Sequence, residues 1–191
     1  MTSEPIRIEL PATRETLALL HAGDEVLLSG PVFTARDAGH ERLLAALERG
    51  EELPYGLAGQ TLFYAGPTPV VPGFPAGSVG PTTARRMDAA TPALMRAGIV
   101  ATIGKGSRSE EVNRAIAETG SVYFAAVGGA AALLGGRIAA AAPVAWPEMG
   151  TEALVRLTLR DFPVFVATDA AGTDLYATAP AQWRAERGIR T

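Results

Sequence analysis

Residues 99–126, IVATIGKGSRSEEVNRAIAETGSVYFAA, decide the fold class. The apolar run 99–103 is too short for a helix and is closed by Gly104-Lys105-Gly106, so it reads as a buried strand. Ser109 is a candidate N-cap for a helix over 109–118. Residues 122–126 give a second buried strand. Upstream, 83–97 has a helical pattern interrupted by Pro92, which predicts a kinked helix or two short ones. Residues 66–81, GPTPVVPGFPAGSVGP, hold five prolines and four glycines. That excludes a helix or a central strand and predicts an ordered surface loop. Residues 61–65 read as a strand, and 37–49 as a helix stopping at Gly50. Residues 25–29 read as a strand ending in a turn at Gly30-Pro31. Ile6, Ile8 and Leu10 alternate with Arg7 and Glu9, as in a half-buried strand, and a helical stretch is expected around 14–20.

Downstream, GGAAALLGG at 128–136 predicts a short helix against neighbouring backbone. Strands are expected at 137–143, 153–159, 164–168 and 175–177, with a turn at 169–172. The tail from about 181 is helical or frayed. Strands alternating with helices in the middle, and strands clustered at the end, predict a mixed α/β layered domain over 1–191.

Composition removes several function classes. A net charge of −3 and a pI near 5.5 leave no footprint for nucleic acid. The chain has no cysteine, which excludes a disulfide scaffold, a thiolate nucleophile and a Cys-ligated metal within it. His21 and His40 are the only histidines, too few for a self-contained zinc or non-haem iron site, so metal chemistry would come from a partner. The N-terminus lacks the pattern of a signal peptide. The most apolar stretch, 122–144, is broken by glycines, Arg137 and Pro143, against a membrane span. The expectation is a soluble cytoplasmic domain.

Three segments could carry chemistry. In 77–88, GSVGPTTARRMD, a glycine-rich approach ends in the hydroxyls of Thr82 and Thr83 at an expected helix N-terminus. Free N–H groups there would favour an anion, with Arg86 on the same face as Thr82. Plain N-capping with surface arginines explains the pattern equally well. In 103–107, IGKGS, Lys105 follows a strand, where open α/β sheets place ligands. It is not a phosphate loop: Gly98 is one residue too distant and Gly106 stands where Ser or Thr is required. In 34–40, TARDAGH, Arg36 and Asp37 stand at a helix entrance, and His40 reads as solvated or structural in preference to a base.

These segments, in this order, resemble the C-terminal domain, or separate beta subunit, of class I iron–sulfur fumarases and L(+)-tartrate dehydratases. The resemblance is carried by GPVFTARDAGHERL, LFYAGPTP, PAGSVGPTTARRMD, IGKGSRSEEV, VYFAAVGGAAALL, AWPEMGTEAL and DFPVFVATDAAGTDLY, and covers most of the chain. It implies a swivelling β/β/α domain. It also implies a cysteine-bearing alpha subunit whose four-iron–four-sulfur cluster acts as a Lewis acid, in a heterodimer or a dimer of heterodimers. By the same resemblance Arg36, Arg86 and Lys105, with Thr83, bind a small dicarboxylate, and Thr82 is the acid or base at carbon, with Lys105 counted beside it as catalytic. Arg85 departs from the family, which usually has a small residue there. The implied function is a hydro-lyase acting on fumarate, malate or tartrate. Set against it are a non-catalytic anion-binding module and an orphan interaction subunit.

Overall fold

The computed structural model describes residues 4–70 and 72–188. In chain order the elements are β1 (Ile6–Glu9), α1 (Arg14–Leu17), β2 (Glu25–Thr34), α2 (Asp37–Glu48), β3 (Thr61–Phe63), α3 (Thr91–Arg96), β4 (Ala101–Gly104), α4 (Glu110–Thr119), β5 (Val122–Ala125), α5 (Ala131–Gly135), β6 (Ile138–Ala145), β7 (Leu154–Thr168) and α6 (Leu175–Glu186). Short 3-10 segments cover Pro54–Gly56, Ala84–Met87 and Pro147–Glu152. This is the mixed α/β class expected. No helix among the described residues is long and apolar enough to cross a membrane.

The seven strands run in the order β1-β2-β3-β4-β5-β7-β6. β2, β3, β4 and β5 are mutually parallel. β7 returns antiparallel, pairing with β5 through Phe165–Thr168 and with β2 from Glu25 to Thr34. The pairings β2–β3–β4–β5–β7–β2 therefore close a ring, with β1 and β6 attached outside it.

Alternation along the strands divides the core in two, because successive side chains leave opposite faces. Phe63 and Phe124 join Phe162, Val164 and Val166 in one cluster. Leu62, Tyr64 and Tyr123 join Leu43, Leu94, Met95 and Ile116 from the helices in the other. A strand covered on both faces is built almost entirely of apolar residues, which is why β4 and β5 read as near-continuous runs, Thr102 being the buried polar exception.

Several elements differ from expectation. Gly30-Pro31 is not a turn: β2 continues to Thr34 across a register shift between Leu28 and Gly30. Gly30 has φ +109°, and a Cβ there would lie 2.4 Å from Leu10 O, so only glycine fits this bulge. The expected strands 153–159 and 164–168 are one 15-residue strand, β7. Asp161 at φ +46° bends it opposite the β2 irregularity without ending the pairing. The pattern over 83–97 takes the second of its two expected forms, two short helical segments: the 3-10 turn at Ala84–Met87 and α3, whose first turn holds Pro92. A proline is at ease there, where its missing N–H has no partner to lose. The expected strand 175–177 opens helix α6 instead, capped by Asp174, whose Oδ1 accepts Tyr176 N at 2.9 Å. Ser109 is the expected cap of α4, its Oγ accepting Val112 N at 3.3 Å. Part of the tail, 189–191, lies outside the described residues.

Candidate active site

Because β2 to β5 are parallel, their carboxyl ends share one edge, and each emits a loop there. β2 leads to Arg36 and Asp37, β3 to Gly66, β4 to Lys105 and β5 to Gly128. This is where open α/β sheets gather ligand groups.

The GPTT segment joins this edge as backbone. Thr82 N–H donates to Tyr64 O at 2.6 Å, Lys105 N–H to Thr82 O at 3.1 Å, and Ala84 N–H to Lys105 O at 2.8 Å. Thr83 and Lys105 form a parallel bridge. This corrects two expectations. Thr82 is not at an open helix N-terminus, since the N–H groups of Thr82 and Ala84 are already engaged. Nor do Thr82 and Arg86 share a helix face, because the chain is extended up to a single 3-10 turn. The N–H groups of Thr82 and Ala84 are therefore closed to an anion. Gly104 allows the close approach: a Cβ there would lie 2.8 Å from Tyr64 Cδ2 and 3.0 Å from Ala84 Cβ.

Lys105 is half-buried, and its side chain lies over Gly128, where a Cβ would come within 3.2 Å of Lys105 Cδ. None of the ion pairs among the described residues involves it. Both arginines, in contrast, hold carboxylates. Exposed Arg86 grips Asp37 with two bonds, Nε to Oδ1 at 3.0 Å and Nη2 to Oδ2 at 2.6 Å. Half-buried Arg36 has Nε 3.1 Å from Glu152 Oε1. That contact is an ion pair without hydrogen-bond geometry, since buried Arg36 Nε has no hydrogen-bond partner. Glu152 Oε2 accepts Ala38 N–H at 3.2 Å, supplying α2 with the cap that Arg36 does not. A guanidinium carries five N–H donors, so each arginine keeps donors for a ligand. Arg85 is exposed, and no ion pair among the described residues includes it.

His40 is structural. It is 3% exposed, donates from Nδ1 to Arg36 O at 2.9 Å and meets the Tyr64 ring edge-on at 5.1 Å. Burial lowers its pKa to about 4, with the Arg36 carbonyl opposing the shift, so the ring is neutral at physiological pH.

A family model described as the fumarase C-terminus matches residues 1–179. The chain belongs to this family. Fumarate hydratase 2 of Leishmania major is 34% identical over 180 residues, 92% of this chain and 32% of that protein. The anaerobic class I fumarate hydratase of Escherichia coli is 35% identical over 179 residues, 91% of this chain and 33% of its own length. A putative L(+)-tartrate dehydratase subunit beta of Methanocaldococcus jannaschii is 35% identical over 170 residues, 86% of this chain and 87% of that subunit. The chain thus spans about a third of the fumarate hydratases it matches, but nearly the whole of a separate subunit.

Within this fumarase C-terminal chain, the residues present do not fit a thiolate-held cluster. The sequence has no cysteine, and among the described residues no His, Asp and Glu side chains group as metal ligands. Sequence reasoning missed what lies behind the site. Asp88 and Arg108 form a buried ion pair at 2.8 Å. Both letters stand inside the quoted motifs, GPTTARRMD and IGKGSRSEEV, but nothing in their immediate neighbours, Met87 and Ala89 or Ser107 and Ser109, signals that these charges turn inward.

Proposed function

We propose that this chain is the beta subunit of a two-subunit, iron–sulfur-dependent hydro-lyase that reversibly hydrates or dehydrates a C4 dicarboxylate, fumarate/malate or tartrate. The reading is carried by one observation: the segments bearing Arg36, Thr82, Thr83, Arg86 and Lys105 are gathered at the carboxyl ends of one set of parallel strands. It draws support from relatives named fumarate hydratase and tartrate dehydratase subunit beta.

The chemistry follows from charge. A dicarboxylate entering a site that excludes water needs cationic donors for both ends. Lys105, which pairs with no carboxylate among the described residues, supplies a cationic donor. Arg36 and Arg86, oriented by Glu152 and Asp37, supply planar donors on their remaining edges. Removing a proton beside a carboxylate builds extra negative charge on it, and fixed cations stabilise that charge more than the ground state. Thr82 moves the proton at carbon. No hydrogen bond holds its hydroxyl among the described residues, so its activation falls to Lys105 and to groups beyond this chain.

The partner is a cysteine-bearing alpha subunit that holds the cluster, in a heterodimer or a dimer of heterodimers in the cytoplasm. β6 carries no charge, and its Ala139, Ala140, Ala142, Pro143 and Val144 are exposed. Beside it an apolar groove of about 330 Å³, lined by Pro67, Pro69, Val70, Ala141, Pro143 and Val155, reaches the loop that passes Arg36. An uncharged surface next to a cationic site suits a subunit that covers both. With a core cluster on each face of the parallel strands, the domain is read as the swivelling β/β/α type that closes on that partner.

Anaerobic co-expression with the alpha subunit, assayed on fumarate, malate, tartrate and mesaconate, tests the reading. Turnover of one diacid is expected. Lys105→Ala and Arg86→Ala should each lower kcat/KM by about 100- to 1000-fold with an unchanged circular dichroism spectrum. Failure with every diacid sinks the reading. Diacid binding without turnover would favour a non-catalytic binding module.

A further inference from the structure

Arg108 has a fully buried side chain. Its Nε donates to Asp88 Oδ1 at 2.8 Å, Nη1 to Tyr64 Oη at 3.1 Å and Nη2 to Thr91 Oγ1 at 2.8 Å. The guanidinium carbon lies 5.1 Å from the Tyr64 ring centroid and 4.9 Å from that of Tyr123. The other Asp88 oxygen accepts Ser109 N–H at 2.7 Å. Tyr123, on β5, donates from Oη to Gly106 O at 2.8 Å. Several of these contacts end beside Lys105 or Thr82, while Thr91 and Tyr123 anchor the guanidinium to α3 and β5. Asp88 closes GPTTARRMD, Gly106 and Ser109 stand on the far side of Lys105, and Tyr64 O receives the Thr82 N–H.

A buried ion pair is a poor source of stability, because apolar side chains of similar volume fill such space as well or better. What it supplies is a fixed separation and direction, set by short charged hydrogen bonds. We propose that Asp88 and Arg108 form a strut that sets the position of Lys105 against Thr82. Both are then positioning residues for the dicarboxylate reaction, on which reading this inference rests. Arg108 is fully covered and Asp88 only slightly exposed; they act through the Lys105 loop.

The composition offers a direct probe. Lys105 is the only lysine in the chain. Reductive ¹³C-dimethylation of the full chain therefore gives one side-chain resonance, from Lys105, beside that of the terminal amine. Asp88→Asn keeps an acceptor for Arg108 but turns an amide against Ser109 N–H, and Arg108→Gln removes the strut. Arg96→Gln, which breaks the exposed Arg96–Glu118 pair, is the control. In both strut variants the Lys105 resonance should move or broaden, while the control matches wild type. In the assembled enzyme both should lose about 10- to 100-fold in kcat, with a smaller change in KM. A folded Asp88→Asn chain with an unmoved Lys105 resonance overturns the strut, as does an unchanged kcat in an active assembly. Because the resonance is read on the chain alone, a wild-type assembly without turnover would remove the hydro-lyase reading and leave the strut to be decided by the spectrum.

Discussion

Two side chains in the TARDAGH segment show how little a residue's letter says about its surroundings. Asp37 reads from sequence as a carboxylate suited to a helix entrance, yet it also orients one edge of Arg86 from 49 positions away. His40 reads as solvated or structural, and burial decides for the second. Its pKa has a consequence that can be measured. Folded His40 titrates near 4, against 6.5 for an exposed imidazole. Between those values the unfolded chain binds a proton that the folded chain refuses, so stability is lost as pH falls through the window. The loss should approach about 3 kcal/mol at its lower end. Urea unfolding of wild type and His40→Asn from pH 7 to pH 4 checks this: the wild-type midpoint should fall more steeply, and parallel curves would exclude the imidazole as the cause. Lys105 was legible because glycines on both sides isolate it after a strand. Asp88 and Arg108 were not, since a motif letter does not reveal that its side chain points inward.

Local pattern gave the elements wherever one physical signal governed them. Ser109 announced α4, and the apolar runs announced β4 and β5. It failed where pairing partners overrode local chemistry. Gly30-Pro31 reads as a turn, but antiparallel pairing with β7 carries the strand through it. Residues 175–177 look like a strand until the Asp174 cap is seen. The two glycines of IGKG illustrate the same limit, for they do different jobs. Gly104 is required by space, with Tyr64 and Ala84 against it; Gly106, at φ +81°, is required by conformation and has nothing within 4 Å of a Cβ. Gly104→Ala should therefore cost about 1–3 kcal/mol by overpacking, and Gly106→Ala about 1 kcal/mol by strain. Chemical denaturation of both variants tests the order. A Gly104→Ala chain as stable as wild type would show that the GPTT segment can lift away from β4.

At the scale of the molecule, the alternating strands and helices gave the mixed α/β class, but the return of β7 onto β2 was invisible. No local signal in 154–168 says that one strand will pair with β2 on one edge and with both β5 and β6 on the other. That return makes a prediction for hydrogen exchange. Amides of β2, β3, β4, β5 and β7 should open together with one common free energy, while the outer edge of β6 exchanges faster. Separate opening of β3 or β4 would contradict the closed pairing. The ring also bears on how a substrate gets in and out. Four loops rooted on one hoop cannot be splayed apart one at a time, as the fingers of an open sheet can. Widening the mouth at any one of them would break its strand's pairing with both neighbours. On the proposed two-subunit reading, such a body works as a rigid jaw: admission and release would fall to the seam with the alpha subunit, and their pace to how quickly the whole domain rocks.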